Sequence, residues 1–304
     1  MELDDLLRRQ GRVVTRAQLR AAGVSARQLS GAGRRLVRVR QGVDTDHVVA
    51  DLTPRELAVL HVRAARLTSR VDLVAAGATA ALVHGLPLLG PRPVRPCLVE
   101  RKQERPGHHG ASTTLGPTEV VDVGVPVTSP ARTAFDVARA RGHVAGVLVA
   151  DAVLANGVRR EALELVLVGR SGWPGAEAAR TAVAFADRRS ESPLESLGRV
   201  RFAEQGLAPP QLQVVVADED GPFARVDQCW EEHRTIAEAD GALTYATTAD
   251  LFAEKRREDR LRDAGFEVVR YTWDEALRRP DALAARVRRA FLRSASRRAP
   301  APAS

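Results

Sequence analysis

The sequence predicts a mixed α/β (α+β) protein of several domains, and three observations carry that expectation. Its 304 residues suffice for two or three hydrophobic cores. The first fifty combine short helical patterns with an alternating basic run. The last hundred place three period-two runs between helices. The expected organisation is residues 1–50, 51–187 and 190–295, with 296–304 a flexible tail.

In residues 1–50, Leu3, Leu6 and Leu7 give a first helix its apolar stripe, ending before Gly11. Thr15 N-caps TRAQLRAA, which stops at Gly23, and Ser25 caps SARQLSGA. Two short helices across a glycine-containing turn outline a helix-turn-helix. RRLVRVRQGV then alternates, with Arg38 and Arg40 on one face and Val37 and Val39 on the other, as a wing would. Such a winged helix sets Ser25, Arg27 and Gln28 at the leading end of a helix in the major groove of double-stranded DNA. Arg38 and Arg40 then meet phosphates, which position without specifying sequence. A helical cap with a solvated basic hairpin is the plainer alternative.

In residues 51–187, Thr53-Pro54 opens a helix through LAVLHVRAARL. VDLVAAGATAALVHG reads as another helix, followed by one strand near PCLVE and one near VVDVGVP. Ser129-Pro130 starts a helix in ARTAFDVARA, and HVAGVLVADAVLA and AEAARTAVAFADR supply more. No catalytic spacing occurs here: Thr79 and His84 read as structural, Thr128 and Ser129 as helix caps.

In residues 190–295, Ser192-Pro193-Leu194-Glu195 combines proline at the first helical position with a capping box. QLQVVV, FARVDQC and TIAEAD then form three strands across the turns DEDG and WEEHR. Glu238 and Asp240, two apart, share a strand face, and Asp227 sits late in the neighbouring strand. With Glu195 these carboxylates would gather at one sheet edge, where mutual repulsion favours a bound cation. Mg²⁺ suits hard oxygen ligands and phosphate, and would polarise a scissile phosphodiester. Read singly, Glu195 completes a cap and Asp227 and Asp240 are turn residues. In the following helix, Lys255 or Arg257 offers a phosphate or transition-state cation, although ion pairs on a solvated face explain most of it. FEVVRYT closes as a strand, before a basic amphipathic helix.

Net charge is +8 and pI about 10.6, which favours a polyanionic partner. Nearly all the basic residues are arginine, with lysine only at Lys102 and Lys255, so a GC-rich coding sequence explains part of the excess. Cys97 and Cys229 match no metal or redox motif, and the seven histidines show no ligand spacing. With no signal-peptide pattern at MELDDLLRRQ and no run of eighteen apolar residues, the expected location is cytoplasmic.

Several stretches resemble known families. SPLES, ARVDQCW, IAEADG, EKRREDRLRDAGF and EVVRYT make residues 191–293 similar to domains related to the very-short-patch-repair (Vsr) endonucleases. Those enzymes belong to the restriction-endonuclease-like, or PD-(D/E)xK, superfamily. GRVVTRAQLRAAGVSARQL and RLVRVRQGV resemble the winged-helix head of AbiEi-type antitoxins, and ATAALVHGLPL, VPVTSPARTAFDVAR and LVADAVL the remainder of that family. The resemblance implies a C-terminal α-β-β-β-α-β domain in which Asp227 is the core metal aspartate and Glu238 the second acidic ligand. Glu195 matches the acid of the first helix, and Asp240 stands where lysine is usual. Ala239 replaces an aromatic residue, Thr244-Tyr245 replace a histidine, and GVDTDH lacks the usual tyrosine of the wing.

Two functions of different classes follow. One is a Mg²⁺-dependent DNA endonuclease, with Asp227, Glu238 and Glu195 on the metal and Lys255 stabilising the transition state. The other is a non-enzymatic DNA-binding regulator of antitoxin type, with a cognate toxin as partner. The missing histidine favours the regulator; the retained acidic trio tips the expectation to the enzyme.

Overall fold

The structure is a computed structural model, and it describes residues 3–24, 36–101, 115–240 and 248–298. The fold is mixed α/β, and the chain divides into two compact units. One holds residues 1–153 and 157–185, the other residues 154–156 and 186–304.

The first unit opens with α1 (Leu3–Arg9), β1 (Val13–Thr15) and α2 (Arg16–Ala21). Thr15 caps α2 as the sequence predicts, its Oγ1 accepting from the Gln18 amide at 3.1 Å while Gln18 Oε1 accepts from the Thr15 amide at 2.9 Å. The helix expected from Ser25 lies outside the described residues. β2 (Val37–Arg40) and β3 (Val43–Thr45) follow, in the antiparallel order β1-β3-β2, with a bulge between Arg38 and Arg40. Val13 and Val43 bury against Leu60 and Ala64 of α3 (Pro54–Leu67), so these strands complete their core on a helix beyond residue 50.

The stretch expected as one helix from Val71 is instead β4 (Leu73–Ala75) followed by α4 (Gly77–His84). Its apolar residues run without a break, and a short apolar run does not distinguish a buried strand from a helix. β4 lies inside a sheet of order β5-β4-β7-β6, formed with β5 (Leu98–Glu100), β6 (Val120–Asp122) and β7 (Pro126–Thr128). The single strand expected near VVDVGVP is thus the antiparallel pair β6–β7. α5 (Pro130–Ala155) breaks at Gly142, whose φ of 85° and ψ of 178° only glycine adopts readily, so the two helices expected here meet at a kink. α6 (Arg160–Leu167), which the sequence reading missed, and α7 (Ala176–Phe185) complete the unit.

The second unit begins with α8 (Pro193–Glu204). Its four-stranded sheet has the order β11-β10-β9-β8, from β8 (Gln211–Asp218), β9 (Gly221–Trp230), β10 (Thr235–Ala239) and β11 (Glu267–Tyr271). The β8–β9 and β9–β10 pairs are antiparallel, and β10–β11 is parallel across α9 (Thr248–Asp263). Leu261 of α9 packs with Cys229, Ile236, Phe266 and Val268. The alternate strand residues Gln228 and Tyr271 face α8, where the Tyr271 hydroxyl lies beside Gly198. α10 (Trp273–Arg278), also unanticipated, and α11 (Pro280–Arg298) end the described chain. Among the described residues no helix is long and apolar enough to cross a membrane.

Candidate functional site

Antiparallel pairing of β9 and β10 ends at Gln228 and Ala237, so Asp227 and Glu238 face each other one step past the ladder. The half-buried Asp227 fills the gap in the ladder, its Oδ2 accepting from the Ala239 amide at 2.9 Å. Burial pushes the Asp227 carboxyl above its ordinary pKa, with Glu195 and Glu191 adding to the rise. The Ala239 amide and Arg257 oppose it without cancelling it.

Glu238 is buried, and both of its oxygens accept from Arg257 Nη2, at 2.7 and 2.9 Å. The parallel register sets Arg270 beside Glu238, with Nη2 at 3.5 Å from Oε2. Burial raises the Glu238 carboxyl pKa even so, against the pull of Arg257 and Arg270. Arg257 also donates to Glu254, from Nε at 3.0 Å and Nη2 at 2.9 Å. Arg270 reaches the same Glu254 and, at 3.2 Å, Glu258. Hydrogen bonding to Glu254 is the largest cause of a guanidinium pKa at Arg257 raised above its ordinary value.

Glu195 is buried at the first turn of α8. Ser192 Oγ accepts from its amide at 3.1 Å, but the reciprocal half of the expected capping box is not made. Its Oε2 instead accepts from the Glu191 amide at 2.9 Å and Gln213 Nε2 at 3.0 Å. Gln213 holds φ at 55° within β8, a conformation unusual for a side-chain-bearing residue. The Asp240 amide extends the ladder by donating to Tyr271 O at 2.8 Å. Lys255 is exposed on α9, and among the described residues no hydrogen bond or ion pair joins it to these carboxylates. Arg257, two residues on, is the cation of α9 that pairs with Glu238.

The carboxylates of Glu238, Asp227 and Glu195 are each engaged by a protein donor. Among the described residues no three His, Cys, Asp or Glu side chains are grouped to hold a metal ion. Glu238 already spends both oxygens on a guanidinium, Asp227 spends one on a backbone amide, and Glu195 is turned to Gln213. The register sets Asp227 opposite Glu238, and Glu195 lies near enough to Asp227 to raise its pKa, while the contact established for Asp240 is that of its backbone amide.

In the first unit, Arg38 and Arg40 are exposed on β2, and no carboxylate pairs with them among the described residues. Their neighbours are neutralised, Arg12 by Asp46 and Arg16 by Asp44, each at 3.1 Å. Ser25, Arg27 and Gln28 lie outside the described residues. The arginines of α11 are largely engaged, Arg286 with Glu275 and Arg293 and Arg297 with Glu267. Thr79 Oγ1 accepts from the Cys97 amide at 2.8 Å, and His84 Nε2 contacts Thr128 O at 2.7 Å. Sequence reading missed a second charged cluster: Arg132 between Glu119 and Asp136, each at 3.1 Å, with Arg170 on Glu119 at 2.8 Å. Arg132 and Asp136 are four apart on a helix, a spacing that signals an ion pair but not burial.

Two uncharacterized proteins of Mycobacterium tuberculosis, from strains CDC 1551 / Oshkosh and ATCC 25618 / H37Rv, are each 34% identical to this chain over 163 residues. The match covers 53% of this chain and 60% of each relative, so the chain spans less than two thirds of their length. No family model matches the chain. No solved structure matches it.

Proposed function

We propose that this chain is a duplex-DNA-binding regulator whose C-terminal unit keeps a restriction-endonuclease-like, Vsr-related shape and works without metal. Its first segment acts as a winged helix, with Arg38 and Arg40 on phosphates and Ser25, Arg27 and Gln28 toward base edges. A role of AbiEi-antitoxin type adds a toxin as partner. The observation that carries this reading is the Glu238–Arg257 pair: the carboxylate that a nuclease would turn to a cation faces a guanidinium at 2.7 Å. The net charge of +8 and the exposed arginines of β2, which pair with no carboxylate among the described residues, support the DNA contact.

Fluorescence anisotropy of the full chain with a short duplex, in EDTA and across a salt series, tests it. Binding should weaken steeply with salt, and Arg38→Ala with Arg40→Ala should lower the log–log slope by about 1–2. Absence of binding in EDTA, or a slope unmoved by both substitutions, sinks the proposal.

A second reading, a Mg²⁺-dependent endonuclease, is favoured by one observation. Asp227 and Glu238 adjoin, and both carboxyls have raised pKa values, a cost that a cation would relieve. It requires Arg257 to leave Glu238. Supercoiled plasmid cut by the wild type in Mg²⁺, but not by Asp227→Ala, would establish it over the regulator.

A further inference from the structure

We propose that the first unit carries a binding cavity for a small organic oxyanion with an apolar body, held by Arg55 and Arg92 over a lining of leucines. The inference concerns this cavity alone and stands independently of any DNA contact.

The first turn of α3 and the chain leaving α4 enclose a cavity of about 460 Å³. That volume lies within the about 300–1,000 Å³ of small-molecule sites. Gly85, with φ at 71°, ends α4 and turns the chain into the cavity wall. Leu82, Leu86 and Leu88 supply the apolar lining. Leu86 is buried, and Leu82 packs on the core of Ala58, Val62 and Val127. The wall is also pinned, because Arg141 donates to Leu89 O at 2.7 Å and to Pro91 O at 2.8 Å. A wall held this way is formed before any ligand arrives, so little ordering is lost on binding.

The charged groups of the cavity are of one sign. They are Arg55 and Arg92, and among the described residues no carboxylate pairs with either. Glu56, next to Arg55 in sequence, is committed to the helix cap: its carboxylate accepts from the Thr53 amide at 2.8 Å and hydroxyl at 2.7 Å. A guanidinium binds an oxyanion through paired N–H donors, and apolar surroundings strengthen that attraction. A cationic ligand would instead meet two like charges. The leucines offer inorganic phosphate nothing, so the ligand that fits carries an apolar body beside its charge.

The test is fluorescence titration of the full-length protein with anilinonaphthalene sulfonate, an anion with an aromatic body. Wild type should bind it saturably, and octanoate should displace it where octanol or inorganic phosphate at equal concentration does not. Arg55→Gln with Arg92→Gln should weaken the octanoate-displaceable binding at least about tenfold. Arg159→Gln with Arg180→Gln removes the same charge from exposed positions outside the cavity and should leave that binding unchanged. No saturable binding by wild type overturns the proposal, as does displacement by octanol or phosphate as readily as by octanoate. Affinity that survives loss of Arg55 and Arg92, or falls equally in the control pair, overturns it too.

Leu88→Trp fills the cavity without touching either charge and should abolish the same binding. A folded Leu88→Trp protein that binds as wild type does overturns the proposal. If that variant fails to fold, the arginine substitutions decide alone, since both lie at exposed positions.

Discussion

The Asp227 carboxylate accepts the Ala239 amide at 2.9 Å where the β9–β10 ladder has already ended, so a side chain replaces a backbone acceptor at the sheet edge. Asparagine retains an acceptor for that amide but carries no charge to desolvate. The native Asp227 pKa is raised by burial, so the folded protein holds this proton more tightly than the unfolded chain does. That stabilisation is complete below the ordinary value of 3.8 and is lost as pH rises through the native pKa. Asp227→Asn should therefore melt higher than wild type at neutral pH, with the gap closing toward about pH 4. Circular-dichroism melts across that range check it; a variant that melts lower at neutral pH contradicts it.

Glu195 serves two donors, the Glu191 amide and the Gln213 side chain that stands on a left-handed backbone. Glu195→Ala strands both and should cost about 1–3 kcal/mol in urea unfolding of the second unit. Glu195→Gln keeps an acceptor and should cost less. Equal losses would mean that the charge, not the acceptor, matters.

Gly198 is required by close approach rather than by backbone freedom. A Cβ there would lie 2.1 Å from the Tyr271 hydroxyl and 2.5 Å from its ring carbon Cζ, and Tyr271 is fully buried. Gly198→Ala should destabilise by about 1–3 kcal/mol through overpacking. Adding Tyr271→Phe removes the nearest atom, so the double variant should lose less than the sum of the single losses. Strict additivity in denaturant titrations would show that the two positions do not share this contact.

Arg132 is almost wholly buried between Glu119 and Asp136, with its guanidinium carbon 5.2 Å from the Trp173 ring centre. Arg132→Met leaves Glu119 with Arg170 and Asp136 with Arg139 as their remaining cations, and should cost about 1–3 kcal/mol in the first unit. Burial already raises the Asp136 carboxyl pKa. Protonation should therefore recover part of the loss as pH falls through the carboxylate range. Unfolding by urea at neutral and acid pH reads both effects, and a loss that deepens in acid would refute the assignment.

Much of the local structure was legible in the chain. The cap at Thr15, the N-cap half of the box at Ser192 and the turns around β8, β9 and β10 rest on interactions within a few residues, and these read correctly. Reading failed where apolar residues ran on without a period, at β4, and where a helix was too short to show one, at α10. Glu195 was legible as a helix-start residue, yet its carboxylate turned to Gln213, a partner eighteen positions away that helix-start rules do not reach.

By itself, the sequence determined which residues share a strand face and where helices begin, because these follow from backbone periodicity and capping. It thereby brought Asp227 and Glu238 into one neighbourhood. Only the tertiary structure decided their counter-ions. The parallel register of β10 on β11 sets Arg270 beside Glu238, and the packing of Leu261 fixes the face of α9 that carries Arg257. Strand register across an intervening helix is set by core packing rather than by local preference, so the cation that neutralises Glu238 could not be read from the order of residues.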